Sequence, residues 1–424
     1  MKLITLKNSL RIFLNPCPGL RSAIVGVWVG SGSRYEKPQN NGISHFIEHI
    51  VFKGSEKRNG FQIAEGMDEI GAQVNAYTTK EYTFFYVKAL DYQILKGADI
   101  LFDMICNPKL DRKDIETEKG VILEEIAMCE DDPSDVCYEV NEEGLFAPSS
   151  LSLQILGTRD TVSSFTREDF REYMDENYVP ERMVVGVSGS FDEEEMLSKI
   201  EEYFSRFENR NNPLNWYEVP FNKVYTLKNM PTEQTHIMLC FNGVGIEHED
   251  LYPLQLVMFI LGTGSSSLLN QRIREQLGLV YSIDSWLGRY MGGGYIAVSM
   301  SLQEKSEEKA IKETVKIIGS FSSVVTQRQI DIAKEKLISS LIMSREHPQS
   351  KFSSDGRNLL MLSKFIEDDD IINKIRAITL EDVKKAADEY LKLSDVSFTA
   401  VGRVKTKEEY ERFIADTLKE GDSK

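Results

Sequence analysis

The stretch His45-Phe46-Ile47-Glu48-His49 carries the residue types of a metal centre at a helical spacing. Two imidazoles four residues apart share one face of a helix and can reach one ion. Glu48 is adjacent to His49 and three residues from His45, so it can flank that ion. The order H-x-x-E-H inverts the commoner zinc pattern H-E-x-x-H. Zinc in a catalytic setting takes three protein ligands and leaves one position for water. The pKa of that water falls to about 7, and a carboxylate beside it can accept the proton. Two of the five histidines fall in this stretch; the others, His236, His248 and His347, lie in the second half of the chain. A carboxylate is therefore expected as third ligand.

The surrounding elements must hold these groups. Ile43, Phe46, Ile47, Ile50 and Val51 recur at helical spacing, which predicts a helix between Asn41 and Gly54. An apolar strand over 23–29 precedes it, ending in Gly30-Ser31-Gly32-Ser33. A helix over 61–70 follows, then two strands, 74–79 and 82–88, around a short polar turn. Further helices fit 91–105, 111–130, 166–177 and 192–207, and strands fit 3–6, 10–14 and 183–188. Helices mixed with hairpin-like strand pairs predict an α+β fold with a mostly antiparallel sheet. In the segment Asp114–Cys129, Ile115, Ile122 and Ile126 can face a core while Glu118 and Glu125 share a face two turns apart. On these grounds Glu118, Glu124 and Glu125 are equal candidates for the third ligand.

With 424 residues the chain exceeds one ordinary core, and 41% hydrophobic residues make it globular. A net charge of −17 without a basic stripe argues against nucleic acid. The five cysteines are odd in number and lack C-x-x-C spacing, so they read as reduced thiols of a cytoplasmic protein. No secretory signal or membrane-spanning stretch is expected. Gly262–Ser267 is Gly/Ser-rich but lacks the lysine of a phosphate-binding loop.

Self-similarity divides the chain. Thr166–Phe170, a helix and Val187-Ser-Gly189 match Thr379–Val383, a helix and Val401-Gly402, at an offset of 213. Ile122–Pro133 matches Leu337–Pro348 at 215, Gly54 matches Gly264 at 210, and Gly71 matches Gly278 at 207. Matches in one order at nearly equal offsets predict two copies of one domain. The copies are placed at 1–210 and 222–424, with a linker around 208–221. In the second copy His45 falls on Gln255, Glu48 on Met258, His49 on Phe259 and Glu125 on Ser340, so the metal-type groups are confined to the first.

H-x-x-E-H followed by a glutamate 76 residues after the second histidine, in a duplicated chain of this length, resembles the pitrilysin-type (M16) zinc metallopeptidases. The likeness is to the short bacterial branch related to mitochondrial processing peptidase. GISHFIEHIVFKGSEKR, GAQVNAYTTKEYTFFYVKAL and REQLGLVYS all follow the family pattern. The resemblance implies one zinc per chain, held by His45, His49 and Glu125, with Glu48 as general base and Glu118 supporting the site from behind. It implies that Asn75 and Ala76 meet the substrate backbone on an edge strand, and that Arg274 and Tyr281 hold the substrate carbonyl and oxyanion. It also implies two homologous domains forming half of a clamshell, completed as a homodimer. The implied activity is zinc-dependent endoproteolysis of extended, unstructured peptides in an enclosed cavity. Two alternatives share this fold: a non-catalytic core or scaffold protein, as in some relatives in respiratory complexes, and the catalytic subunit of a heteromeric processing peptidase.

Overall fold

The computed structural model describes residues 1–421. The fold is α+β, and each of two compact units is built on one sheet. The first sheet comprises β1 (Lys2–Thr5), β2 (Arg11–Pro16), β3 (Ser22–Val29), β4 (Gln73–Thr78), β5 (Thr83–Leu90) and β6 (Met183–Gly189). Its order is β1-β2-β6-β3-β5-β4, antiparallel except for the β2–β6 pair. The second comprises β7 (Tyr225–Asn229), β8 (Thr235–Gly243), β9 (Ser282–Tyr290), β10 (Gly293–Leu302) and β11 (Ser397–Gly402), in the order β7-β11-β8-β10-β9. Again one pair, β11–β7, is parallel. From β2 onward the first order maps onto the second strand by strand. The paired glycines agree too: Gly71 and Gly278 have φ of 61° and 59°, the left-handed conformation that ends a helix.

The helices that bear on the site are α1 (Ile43–Ile50), α2 (Gly60–Glu69), α3 (Ile94–Cys106), α4 (Arg112–Asp131) and α5 (Pro133–Phe146). Ile43, Phe46, Ile47 and Ile50 of α1 are buried in the same core as Ile115, Ile122 and Ile126 of α4. That leaves His45, Glu48 and His49 on the other side of α1. The helix opens at Gly42 with φ 93°, and a Cβ there would lie 2.6 Å from the Leu156 carbonyl oxygen, so only glycine fits.

The compact units differ from consecutive halves of the chain. The first takes 1–127, 153–215 and 343–366; the second takes 128–152, 216–342 and the described residues from 367 onward. Thus α5 packs on β8 and β11, while the helix Pro348–Leu362 packs on β3 and β6. Pro133 and Pro348 open these helices at N1, where the missing N–H has no intrahelical partner to lose. In the first unit Trp28 of β3 stacks on Phe84, with ring centroids 4.3 Å apart, and meets Phe352 at 4.9 Å. Gly356 leaves room for this indole: a Cβ there would lie 2.3 Å from it. Phe352→Ala is expected to destabilise the protein by about 3–5 kcal/mol, the usual cost of emptying a buried aromatic site. A urea titration checks this; an unchanged midpoint would mean that the helix contributes no packing there.

Among the described residues no helix is long and apolar enough to cross a membrane.

Candidate metal centre

Helix α1 presents His45 and His49 with ring centroids 4.6 Å apart. Helix α4 brings Glu125 opposite them. Its Oε2 lies 3.8 Å from His45 Nε2 and 3.7 Å from His49 Nε2. These separations are too long for hydrogen bonds. Ligand atoms at tetrahedral angles around one zinc, each about 2.0–2.2 Å from it, lie about 3.4 Å apart. The three donor atoms all fall within 4.8 Å of one another, and no other His/Cys/Asp/Glu group among the described residues does so. His45 Nδ1 is buried with no hydrogen-bond partner, while its Nε2 is the atom turned to Glu125. Two imidazoles and one carboxylate, tightly grouped and with one side open, fit zinc.

The protonation state of His45 agrees. Burial, with the neighbouring charge of His49, pushes His45 down to about 3, so its ring is a neutral donor at physiological pH. His49 differs. Burial would lower its pKa, but the hydrogen bond to Glu118 and the charges of Glu125, Glu118 and Glu48 raise it above the ordinary value. Glu118 lies behind the ring, with Oε1 2.9 Å from His49 Nδ1, and Lys53 Nζ is 2.7 Å from its other oxygen. Burial alone would raise the Glu118 pKa, but His49 and Lys53 hold it below the ordinary range. The carboxylate therefore accepts from Nδ1–H, which fixes the tautomer of the neutral ring and turns Nε2 toward Glu125.

Glu48 sits on the same side of α1. Its Oε2 accepts a hydrogen bond from Thr78 Oγ1 at 2.6 Å. Burial raises its pKa; Thr78 and His49 oppose that rise, and Glu125 adds to it. Thr78 ends β4, the outer strand of the first sheet. On that strand Asn75 Oδ1 accepts from the N–H of Ala76 at 2.8 Å, at an exposed position. A backbone donor at the sheet edge is thus held by a side chain that an incoming strand could displace.

This arrangement gives the sequence comparisons a structural setting. Residues 12–159 match the family described as "Insulinase (Peptidase family M16)", and residues 164–337 match "Peptidase M16 inactive domain". The "uncharacterized zinc protease YmxG" of Bacillus subtilis is 36% identical over 392 residues, covering 91% of this chain and 95% of that protein. The chain belongs to the M16 peptidase family. Two solved structures share the fold. An M16 inactive domain from Pseudomonas fluorescens has a TM-score of 0.87 at 16% identity, covering 96% of this chain and 98% of that one. A chain of Complex III2 from Candida albicans has a TM-score of 0.85 at 18% identity, covering 98% and 99%.

The structure thus brings His45, Glu48, His49, Glu118 and Glu125 together in the first unit of this M16 protein, with Asn75 and Ala76 on the edge strand of that unit's sheet. Of the three carboxylates that spacing left equal, Glu125 joins the donor cluster, Glu118 backs His49, and Glu124 is exposed. Arg274 and Tyr281 belong to the second unit. Arg274 is in the π-helical turn Asn270–Gln276 with its side chain half-exposed, and Tyr281 precedes β9 with 74% of its surface exposed. Sequence reasoning missed Lys53 and Thr78. Lys53 stands four residues after His49, one helical turn on, a spacing that could have flagged it. Nothing in the sequence marks Thr78 as a partner of Glu48.

Proposed function

We propose that this M16 protein is a zinc-dependent endopeptidase acting on extended, unstructured peptides. The observation that carries this reading is the grouping of His45, His49 and Glu125 with Glu48 beside them and an edge strand, β4, bonded to Glu48 through Thr78. A peptide pairs along β4 through main-chain hydrogen bonds at Asn75 and Ala76, which requires an unfolded segment. His45, His49 and Glu125 hold the ion, and Glu118 orients His49. When bound, zinc supplies a Lewis acid that polarises the scissile carbonyl and acidifies water. Glu48 removes the proton from the attacking water and delivers it to the leaving amine. Arg274 and Tyr281 take the roles that the family resemblance implies, binding the substrate carbonyl and the developing oxyanion. We place one zinc on each chain of a cytoplasmic homodimer; five cysteines, odd in number and without C-x-x-C spacing, support a reducing compartment.

The scaffold alternative has the shared fold with a Complex III2 chain in its favour, but fold alone does not assign function. A complete donor set with a base beside it favours the peptidase. The test is digestion of a mixed library of unstructured peptides, with metal content measured. Cleavage is expected with one zinc per chain, lost on chelation and restored by added zinc. A zinc-loaded protein that cleaves nothing in a broad library would turn the reading to the scaffold or to a catalytic subunit lacking its partner.

A further inference from the structure

Between β3 and α1 runs the short segment Ser33-Arg34-Tyr35-Glu36, and its two charged side chains reach two different parts of the site. Helix α1 has no side-chain N-cap of its own, since Gly42 occupies that position. Glu36, only 4% exposed, supplies the cap from outside the helix. Its Oε2 accepts from Gly42 N–H at 2.7 Å and Asn41 Nδ2 at 2.9 Å, and its Oε1 accepts from Ser44 N–H at 2.9 Å. A carboxylate there satisfies first-turn amides and faces the positive end of the helix dipole. The residue after Ser44 is His45. Ser44 Oγ is also fixed, 2.9 Å from Tyr173 OH and 3.2 Å from Ser31 Oγ.

Arg34, 7% exposed, is directed to the β4–β5 hairpin. Its Nη1 donates to Glu81 Oε1 at 2.5 Å, and its backbone N–H donates to the Lys80 carbonyl at 2.8 Å. Gly32 lets backbone approach backbone there: a Cβ would lie 2.3 Å from Thr79 O and 2.6 Å from Lys80 O. Lys80 is itself tied down, its Nζ donating to the Leu153 carbonyl at 2.7 Å. The hairpin tip is therefore fixed two residues beyond Thr78, which bonds Glu48.

We propose that Arg34 and Glu36 are positioning residues that set the metal-holding helix and the peptide-pairing strand in register with each other, Glu36 acting on α1 and Arg34 on the β4–β5 hairpin. What is positioned rests on the peptidase reading above; the positioning itself is tested without any peptide. In Glu36→Gln the amide keeps one acceptor oxygen and turns an NH2 toward backbone donors, so the first turn of α1 loosens. The double variant Arg34→Met/Glu81→Gln removes both charges of the buried pair together, so neither of the two is left facing the other's vacated place. Zinc affinity by chelator competition, and hydrogen–deuterium exchange, are measured on the full chain. Glu36→Gln is expected to lower zinc affinity about 10–100-fold, the range seen for lost outer-shell partners, and to speed exchange over 43–50. Asn41→Ala, which removes one donor to Glu36, gives a smaller loss in the same direction. The double variant speeds exchange over 73–83 and leaves zinc affinity unchanged. Wild-type zinc affinity in Glu36→Gln would overturn the proposal, as would identical exchange profiles in the two variants. A wrong peptidase reading shows differently: the zinc and exchange results hold, and zinc-loaded wild type cleaves no peptide.

Discussion

Glu48→Gln is expected to lose peptide hydrolysis by about 10²–10⁴-fold, the usual contribution of a positioned general base, while still binding zinc. The separation of the two effects follows from the geometry. Glu48 is outside the donor cluster of His45, His49 and Glu125, so its replacement removes no ligand. Glutamine has the same shape and keeps an acceptor oxygen for the Thr78 hydroxyl. What it lacks is the capacity to take a proton. Burial has raised the Glu48 pKa, which makes the carboxylate a stronger base at neutral pH and keeps it protonated, and idle, at lower pH. Hydrolysis should therefore fall as pH drops through that raised value. The Thr78 hydrogen bond favours the charged form, so Thr78→Ala should move the acid limb of the kcat/KM profile to higher pH. Peptide turnover and zinc content measured together decide the matter. A Glu48→Gln protein that keeps both zinc and activity would remove Glu48 from the base role, and an acid limb that Thr78→Ala leaves in place would do the same.

How far the sequence discloses this site depends on what each contact is made of. His45 and His49 are legible because i and i+4 share a helix face whatever the tertiary fold. Gly71 and Gly278 are legible because both copies end a helix in the left-handed region, where glycine is favoured. The Thr166 and Thr379 caps are legible for the same local reason, each hydroxyl accepting from the amide three residues on. The choice among Glu118, Glu124 and Glu125 is legible only through the family resemblance, not from spacing. Adjacent residues on a helix point about 100° apart, and only the placement of α4 against α1 decides which one meets the histidines. The exchange of α5 and the helix Pro348–Leu362 between units was hidden differently. An apolar face records how much a helix buries, not which sheet it covers, and a proline that reads as a stop is equally a first residue. Glu36 left no signal, because its partners are mostly backbone N–H groups, which every sequence carries.

The choice that spacing leaves open on α4 gives the second large effect. Glu125→Gln should lower zinc affinity by more than the roughly 10–100-fold that an outer-shell partner costs, Glu118→Gln by about that amount, and Glu124→Gln not measurably. Glu125 offers an oxygen to the donor cluster, and a neutral amide oxygen is a poor substitute for a carboxylate on a dication. Glu118 lies outside the donor cluster; it meets the His49 ring at Nδ1. Losing it frees the ring to rotate and leaves Lys53 without its 2.7 Å partner. Glu124 projects into solvent from the same helix and serves as the internal control. All three changes remove one negative charge from one helix, so a long-range electrostatic effect would weaken zinc binding equally in each. Chelator competition on the three proteins, with circular dichroism to verify the fold, separates the cases. Equal losses would mean that α4 acts on the ion only through its charge. A graded loss, Glu125 far beyond Glu118 and Glu124 near zero, is what direct ligation by one residue and ring orientation by another require.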